Sequence, residues 1–312
     1  MDLALESLSL AKFGIGQPVL RKEDPTLLRG EGRYTDDLNL PGQAYAVMLR
    51  SRHAHGIIRT LDTAAAQAMP GVLAVITGKD LQAAGYKSLP PGLQVPRPSG
   101  PPIPPQPPLA VERVRYVGEP IACIVAETLQ RARDALEAVE LDIEPLPAVT
   151  DPDSATAPGA VQIHAEAPGN IAFSFHYGDT EKVAAAFARA AHVTRLKLRS
   201  NRVVVNPMEP RAAIASFDPA DGRYTLRVGC QGVFGLRNLL KEALGVEIGK
   251  IRVLTGNVGG SFGMKAGAYP EYVPILYAAR LLGRPVKWRD ERSESFLSDS
   301  HGRDHDMTAE LA

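Results

Sequence analysis

Residues 116–143 read YVGEPIACIVAETLQRARDALEAVELDI, and their pattern indicates the fold class. The apolar run at 121–126 has the length of a buried strand. A helix is predicted to start near Thr128, because apolar residues then recur at intervals of three and four positions. The residues of this stripe are Ala132, Ala135, Leu136 and Val139. From 139 to 143 apolar and polar residues alternate, which predicts a second strand and a fold of mixed α and β structure.

A similar unit lies upstream of this stretch. Residues 44–50 follow a Leu-Pro-Gly turn signal and have β-favouring content, which predicts a strand. Residues 64–69 form a short helical run closed by Pro-Gly, and the apolar residues at 72–77 predict another strand. The order of elements is again strand, helix, strand.

Two segments lack the periodicity of helices and strands. Residues 90–108 contain ten prolines in nineteen positions, which excludes a helix or a central strand. We interpret them as an extended surface excursion that serves as a spacer rather than as a docking segment. Residues 150–159 are rich in proline, aspartate, alanine and glycine, which is typical of a linker between domains.

The second half of the chain contains two helical patterns. Asp179 or Thr180 can cap the first helix. Its apolar positions are Val183, Phe187 and Ala190 or Ala191. The stripe of the second helix consists of Leu236, Leu239, Leu240, Ala243 and Leu244, and Gly245 follows at the position where glycine commonly ends a helix.

Strand patterns accompany these helices. The segments at 212–217 and 224–228 flank the turn sequence at 218–222, so we expect a hairpin. A further strand is predicted at 251–254. Residues 305–312 partly alternate like a strand that has begun to pair, and no turn follows them, so we expect the chain to stop before its fold does.

Composition narrows the class of protein. The 312 residues carry 35 basic and 35 acidic side chains, and this net charge of zero gives no electrostatic basis for binding nucleic acid or an anionic membrane. The hydrophobic content of 45% fits a globular chain long enough for two domains. Acidic residues replace the positive charge that an N-terminal secretory signal needs, and no apolar run is long enough for a membrane span. The sequence therefore predicts a cytoplasmic protein without a membrane span.

The glycine-rich stretch GNVGGSFG at 256–263 directly follows a predicted strand. Its four glycines let the backbone approach a ligand and offer amide donors to an anion. The spacing fits neither a Walker loop nor a dinucleotide-binding fingerprint. The letters Gly259-x-Ser261-x-Gly263 match a hydrolase nucleophile elbow, but no triad partner for Ser261 is recognisable. From the residues alone, a structural turn and a ligand-binding loop both remain open.

Histidine and cysteine offer weaker signals. His301 and His305 lie four positions apart, and His53 and His55 would share one face of a strand, but no third metal ligand has a diagnostic spacing. We therefore favour surface or structural roles for them. The two cysteines, Cys123 and Cys230, cannot supply the four ligands of an iron–sulfur cluster or of a structural zinc site.

Five stretches, taken in order, carry a resemblance to a known family. In the first half they are GEGRYTDD at 30–37, RSRHAHG at 50–56 together with MPGV at 69–72, and YVGEP at 116–120. In the second half they are NPMEPR at 206–211 and the segment 231–263 that ends in GGSFG. Their order and spacing resemble the molybdopterin-binding large subunits of the xanthine dehydrogenase, aldehyde oxidase and aerobic carbon monoxide dehydrogenase family. The residues around Lys265 and 269–272 look closer to the carbon monoxide dehydrogenase-like branch.

The resemblance implies an α+β or α/β fold built from an α/β hammerhead domain followed by the first, incomplete part of the molybdenum-cofactor-binding domain. The hammerhead domain is expected at 18–148 with the proline-rich excursion at 90–108, the linker at 149–165 and the cofactor domain at 166–312. Chains of this family are more than twice as long, so the resemblance also implies that a C-terminal half is missing or is supplied by a separate polypeptide.

The resemblance assigns roles to particular residues. Gln231 is expected beside the cofactor's metal, and Phe262, 31 positions later, is expected to face the substrate as well as the cofactor. The other cofactor-binding residues that it implies are Gly259, Gly260, Ser261 and Gly263. No residue is expected to ligate the metal directly, and the general base is expected beyond residue 312. Glu209 is expected to have a structural role, in an ion pair with a nearby arginine.

The implied activity is the oxidative hydroxylation of an aldehyde, an N-heterocycle or a similar small substrate, or the oxidation of carbon monoxide, with water as the oxygen source. A purine is disfavoured, because Ala266 stands where xanthine dehydrogenases carry a substrate-binding glutamate. The implied cofactor is molybdenum–molybdopterin in its cytosine dinucleotide form. An Fe–S small subunit and an FAD medium subunit would accept the electrons, and the assembly would form a homodimer. The alternative is a non-catalytic molybdopterin-binding or assembly homologue.

Overall fold

The computed structural model describes residues 20–90, 103–104 and 106–312. The chain divides into two compact units, residues 1–33 and residues 34–312. The described part of the first unit contains one short helix, α1 (Asp24–Leu28), with a proline in its first turn. Near its end an exposed ion pair joins Arg29 and Glu31.

The second unit contains strands and helices in alternation. The strands are β1 (Ala44–Arg50), β2 (Gly56–Asp62), β3 (Val72–Thr77), β4 (Arg113–Val114), β5 (Pro120–Ala126), β6 (Glu140–Pro145), β7 (Thr194–Ser200), β8 (Ala212–Asp218), β9 (Arg223–Val228), β10 (Ile251–Leu254), β11 (Val286–Arg289) and β12 (His305–Leu311). The helices are α2 (Ala64–Gln67), α3 (Gly78–Ala83), α4 (Leu129–Glu137), α5 (Pro152–Ala155), α6 (Thr180–Ala188), α7 (Val233–Leu244), α8 (Tyr272–Leu282) and α9 (Arg292–Ser298).

Seven strands form one mixed sheet in the order β10-β9-β8-β11-β1-β5-β3. Two of its pairs are parallel, β1 with β11 and β9 with β10, and the other pairs are antiparallel. The pairing of β1 with β11 joins segments more than two hundred residues apart. The sheet therefore takes strands from both sides of the domain boundary predicted near residue 148, and that boundary remains a prediction.

Strand β5 shows where the cores lie, because all seven of its residues are buried. Cys123 and Val125 belong to the large core that includes residues of α7 and α8. Ala122 and Ile124 face the opposite way, into a smaller core with residues of α2 and α4. A continuous apolar run is what a strand covered on both faces requires, which explains the run that the sequence shows.

Most predicted elements of regular structure are confirmed. The helix predicted near Thr128 is α4, and the Thr128 side chain accepts a hydrogen bond from the backbone of Arg131. The predicted hairpin is β8–β9, and Gly245 ends α7 in the left-handed conformation, at φ 63°. Residues 91–102 and 105 of the predicted proline-rich excursion lie outside the described residues. At its flanks, Leu89 and Gln106 form an isolated antiparallel bridge.

Two predicted elements, a helix and a strand, are more exposed to solvent than their apolar patterns indicate. Helix α6 is where it was predicted, capped by Asp179, but none of its residues is buried and Val183 is 53% exposed. The strand predicted at the end of the sequence is β12, which pairs along its whole length with β7. All seven residues of β12 are exposed, so pairing rather than burial defines this ribbon.

A buried cluster of charged side chains connects the ends of several strands and helices near the centre of the sheet. Arg211, directly before β8, is fully enclosed and donates to Asp299 Oδ1 at 2.6 Å, to Glu271 Oε2 at 2.9 Å and to Asp290 Oδ2 at 3.1 Å. Its guanidinium group lies over the ring of Tyr269, 3.8 Å from the centroid. A single arginine thus connects the start of β8, the start of α8, the end of β11 and the end of α9.

A second arginine joins the cluster from β1. Arg50 lies 2.9 Å from Glu271 Oε1 and 3.1 Å from Glu294 Oε1. Arg211 also donates to Glu271 Oε1, at 3.3 Å, so this oxygen contacts both arginines. Arg50 ends β1, the strand that pairs with β11. The charge cluster and the sheet therefore join the same two segments, which are distant in the sequence.

The carboxyl groups of the cluster differ in their pKa values. Burial raises the pKa of Asp290 to about 7, because the attraction of Arg211 offsets only part of the lost hydration and Glu271 repels the charge. Burial also acts on Glu271, but Arg211 and Arg50 together outweigh it and hold the pKa of that carboxyl at about 2. Two guanidinium groups thus face three fully buried carboxyl groups and the partly exposed carboxyl group of Glu294.

Replacing Arg211 by methionine is expected to lower the free energy of unfolding by about 3–5 kcal/mol, because buried carboxylates lose their partner. Chemical denaturation at neutral pH measures this loss. The matched control is Arg199→Met, since Arg199 also contacts three carboxylates but lies on the surface. The control should leave the denaturation midpoint nearly unchanged. Equal effects of the two substitutions would show that the buried cluster contributes no special stability.

Replacing Asp290 by asparagine is expected to flatten the pH dependence of stability. Because the folded pKa of Asp290 is raised, the native state holds this proton more tightly, and its contribution to stability falls as pH rises from about 4 to 7. Loss of this proton costs at most about 1.4 kcal/mol per pH unit. Denaturation of the wild type and of Asp290→Asn between pH 5 and 8 measures the difference. Glu119, whose pKa burial also raises to about 7, leaves some slope in both proteins. Identical slopes would contradict the assignment of the proton to Asp290.

Candidate functional site

Three segments meet at one edge of the sheet. Gln231 follows β9, and the glycine-rich loop at 256–263 follows β10. Because β9 and β10 are parallel, their carboxyl ends lie side by side. β8 runs antiparallel to β9, so the segment 206–211 that leads into β8 reaches the same edge. The topology thus brings together residues that lie more than fifty positions apart in the sequence.

The side chain of Gln231 is fixed by the glycine-rich loop. Its Oε1 accepts a hydrogen bond from Ser261 Oγ at 2.6 Å and another from the backbone N–H of Gly263 at 2.9 Å. With both donors on the oxygen, the Nε2 amide points the other way, and it has no acceptor among residues 20–90, 103–104 and 106–312. Gln231 is exposed, so this amide is available to a ligand as a hydrogen-bond donor.

Phe262 stands out from the loop in a strained backbone conformation. Its side chain is 79% exposed and its φ is 51°, in the left-handed region that an aromatic residue rarely adopts. Gly260 and Gly263 on either side also have positive φ, at 103° and 94°. A side chain at Gly260 would come within 2.9 Å of the Phe262 ring and 3.1 Å of Pro207, so glycine is required there.

The N–H groups of the loop divide into two sets. Gly259 donates its N–H to Glu209 Oε2 at 2.8 Å, and Gly263 donates to Gln231, so neither is available to a ligand. The N–H groups of Gly260, Ser261 and Phe262 have no acceptor in the part of the chain that the structure describes. Three consecutive amides are therefore left as donors at an exposed turn, as in the backbone concavities that bind anions.

Glu209 has a structural contact, but with a different partner from the one predicted. Its Oε2 lies 2.8 Å from the buried ammonium group of Lys265, not against an arginine. The nearby Arg211 is taken by the cluster around Glu271. Sequence reasoning also missed Arg292, which donates to Asn206 Oδ1 at 2.5 Å and to the carbonyl oxygens of Pro207 and Met208. No sequence signal connects these partners, because they lie 56 and more than 80 positions apart.

The structure does not support the other chemistries that the letters allow. Ser261 donates its hydroxyl proton to the Gln231 amide oxygen, which is not a base, so the nucleophile-elbow interpretation has no triad here. His53 and His55 lie between β1 and β2 rather than on a strand, and His55 is buried with its Nδ1 2.8 Å from Pro147 O. His301 and His305 are not on one helix, since α9 ends at Ser298.

Two further features are absent from the residues that the structure describes. No group of three or more His, Cys, Asp or Glu side chains there could hold a metal ion. No helix among the same residues is long and apolar enough to cross a bilayer.

Two family models match the sequence in succession. Residues 29–147 match the aldehyde oxidase and xanthine dehydrogenase a/b hammerhead domain, and residues 163–312 match the molybdopterin cofactor-binding domain. Together with the mixed sheet and its helices, these matches confirm the predicted fold class. The match over residues 163–312 also supports molybdopterin as the cofactor.

Known relatives agree with these matches. The chain is 36% identical to the carbon monoxide dehydrogenase large chain of Afipia carboxidovorans, over 96% of this chain and 37% of the relative. It is 35% identical to the nicotine 6-hydroxylase large subunit of Paenarthrobacter nicotinovorans, over 96% of this chain and 36% of the relative. The structure of quinoline 2-oxidoreductase from Pseudomonas putida 86 superposes with a TM-score of 0.82 at 35% identity, over 97% of this chain and 38% of that one.

The chain spans less than two fifths of the length of these relatives. Within that span the hammerhead match, the cofactor-domain match and the solved structure follow the same order along the sequence. The chain therefore belongs to the aldehyde oxidase, xanthine dehydrogenase and carbon monoxide dehydrogenase family of molybdopterin-binding large subunits.

Proposed function

We propose that this chain forms part of the large subunit of a molybdenum hydroxylase, and that Gln231 and the loop at 259–263 hold the molybdenum–molybdopterin group. The reaction is the oxidative hydroxylation of an aldehyde, an N-heterocycle or a similar small substrate, or the oxidation of carbon monoxide. When bound, the molybdenum group supplies the two-electron oxidation. The observation that carries the proposal is the Gln231 amide, which Ser261 and Gly263 orient so that its N–H bonds face outward.

The residues present suit a cofactor rich in oxygen acceptors. The Nε2 amide of Gln231 can donate to an oxygen atom beside the metal without bringing a charge that would compete as a ligand. The unpaired N–H groups of Gly260, Ser261 and Phe262 can donate to the pterin or to its phosphates. Gly259 and Gly263 support the loop instead, because their own N–H groups are bound to Glu209 and Gln231.

Phe262 is the residue that we assign to the substrate. Its ring is largely exposed, although one edge lies close to Gly260, and its backbone is strained at positive φ. An exposed aromatic face can align a planar or small apolar molecule by stacking. We assign no general base to the described residues. Glu209 is committed to Lys265 and to Gly259.

Electron transfer requires further subunits under this proposal. Both cysteines of the chain are buried and are too few for an iron–sulfur cluster. Burial also raises the pKa of the Cys123 thiol well above its ordinary range, which disfavours the thiolate that metal binding needs. The relatives are named as a large chain, large subunits or a subunit gamma. We therefore assign the iron–sulfur clusters and the FAD to partner subunits.

The finer features of the assembly belong to the same proposal. They are a hammerhead domain at 18–148, a linker at 149–165, a cofactor domain from 166, the cytosine dinucleotide form of the cofactor, a polypeptide that completes the subunit, a homodimeric assembly and a cytoplasmic location. The matches at 29–147 and 163–312 support the order of the two domains, and the other features rest on the family resemblance. A non-catalytic homologue is the alternative that the following experiment distinguishes.

Gln231→Ala in the assembled enzyme is expected to lower kcat by about a hundredfold or more, the usual effect of losing one oriented hydrogen-bond donor in a catalytic site. Phe262→Ala is expected chiefly to raise the KM of the organic substrate. Steady-state kinetics with an artificial electron acceptor, together with the molybdenum content of each preparation, measures both effects.

The matched controls for these variants are an exposed glutamine and an exposed phenylalanine outside the segments that form the site. Gln130→Ala changes an exposed glutamine on α4, and Phe175→Ala changes a phenylalanine that is 53% exposed. Both should keep the wild-type rate. If Gln231→Ala and Phe262→Ala behaved like these controls in an active enzyme, the assigned site would be wrong. An assembled protein that binds the cofactor but oxidises no substrate would favour the non-catalytic alternative.

A further inference from the structure

Lys265 lies under the glycine-rich loop with its ammonium group enclosed by protein. Its side chain is 1% exposed, and Nζ lies 2.8 Å from Glu209 Oε2 and 2.9 Å from the Glu209 carbonyl oxygen. A buried ammonium group is stable only while its partners stay in place, because an unpaired charge in the interior is costly. The pair therefore fixes the distance between the loop and the segment that carries Glu209.

The backbone of Lys265 reaches the two groups that hold the Gln231 side chain. Its N–H donates to Ser261 Oγ at 3.0 Å, and its carbonyl oxygen accepts from the Gln231 N–H at 3.0 Å. Ser261 Oγ in turn donates to Gln231 Oε1. One residue thus contacts the main chain of Gln231 and, through a single hydroxyl, its side chain.

Glu209 extends the same connection to Gly259. The two residues exchange hydrogen bonds, from the Glu209 N–H to the Gly259 carbonyl at 3.1 Å and from the Gly259 N–H to Glu209 Oε2. A side chain at Gly259 would come within 2.5 Å of the Glu209 Cβ, so the contact requires glycine. Glu209 Oε1 is buried without a partner among the described residues, so without Lys265 the carboxylate would keep only the Gly259 donor.

We propose that Lys265 is a positioning residue of the site. Through Ser261 and the main chain of Gln231 it sets the outward direction of the Gln231 amide. Through Glu209 it sets the distance between the segment that carries Glu209 and the loop that carries Phe262. This inference rests on the proposed function for its consequence in catalysis, but the geometry it describes can be tested separately. Lys265 itself contacts neither cofactor nor substrate under the proposal, since its ammonium group is enclosed.

The test compares Lys265→Met with Lys287→Met. Lys287 is a second buried lysine, on β11, and donates to the carbonyl oxygens of Asp36 and Leu38, so its loss should destabilise the chain without touching the loop. Amide hydrogen exchange at Gly259 and Gly263 is measured at equal fractions of folded chain. In Lys265→Met we expect these two amides to exchange at least tenfold faster than in Lys287→Met, whereas equal rates in the two variants would overturn the proposal.

A second variant keeps the test decisive if Lys265→Met does not fold. Ser261→Ala removes the hydroxyl bridge to Gln231 but leaves the pair of Lys265 and Glu209 intact. It should speed exchange of the Gly263 N–H, because the Gln231 oxygen that accepts from it is then held less firmly, while leaving Gly259 as in the wild type. Faster exchange at Gly259 to the same degree would show general loosening of the loop and would contradict the proposed order of contacts.

Catalysis is then measured in the assembled enzyme. Lys265→Met is expected to lower kcat at least tenfold, and Lys287→Met to retain the wild-type kcat per folded molecule. An unchanged kcat in Lys265→Met would overturn the positioning role. If the exchange results appear as expected but the wild-type assembly binds no molybdenum, the contacts are right and the proposed function is wrong.

Discussion

Two guanidinium groups lie in a dry interior and must be neutralised by protein groups, which constrains how the main sheet is assembled. Arg211 and Arg50 are enclosed, so carboxylates must surround them, and Glu271, Asp290 and Asp299 do so. Because buried charges have no alternative partners in water, this requirement fixes where four elements begin or end. It also explains why segments as distant as β1 and β11 lie side by side in one sheet.

The site follows from this arrangement. Arg211 fixes the chain directly before β8, and the segment that carries Glu209 is two residues upstream. The parallel pair β9 and β10 delivers Gln231 and the glycine-rich loop to the same edge. At this edge the polar groups are again connected, from Glu209 through Lys265 and Ser261 to Gln231. Phe262 lies at positive φ in a loop whose Gly259 and Gly263 N–H groups are bound to Glu209 and Gln231.

Local patterns in the sequence predict a large part of the fold. The run at 121–126, the cap at Thr128 and the glycine after Leu244 each act through neighbouring residues, and each predicted the element that forms. Helix α8 was missed because it is buried nearly all round and so has no apolar stripe, and Pro274 in its first turn resembles a breaker. Strand β11 was also missed, and it buries Lys287 at a position where a buried strand usually carries an apolar residue.

At the candidate site, too, sequence motifs identified individual residues but did not predict the contacts between residues that are distant in the sequence. Gln231 and Phe262 were identified through family resemblance, and the structure brings their surroundings together through Ser261 and Gly263. The partners of Glu209 and Asn206 were not predicted, because an ion pair or a hydrogen bond across 56 or 86 positions leaves no local pattern.

A high-resolution structure of the assembled enzyme with its cofactor would measure the contact between Gln231 and the cofactor. We expect Gln231 Nε2 to lie within about 3.2 Å of an acceptor atom of the bound cofactor. A cofactor bound elsewhere, with the Gln231 amide facing only solvent, would contradict it.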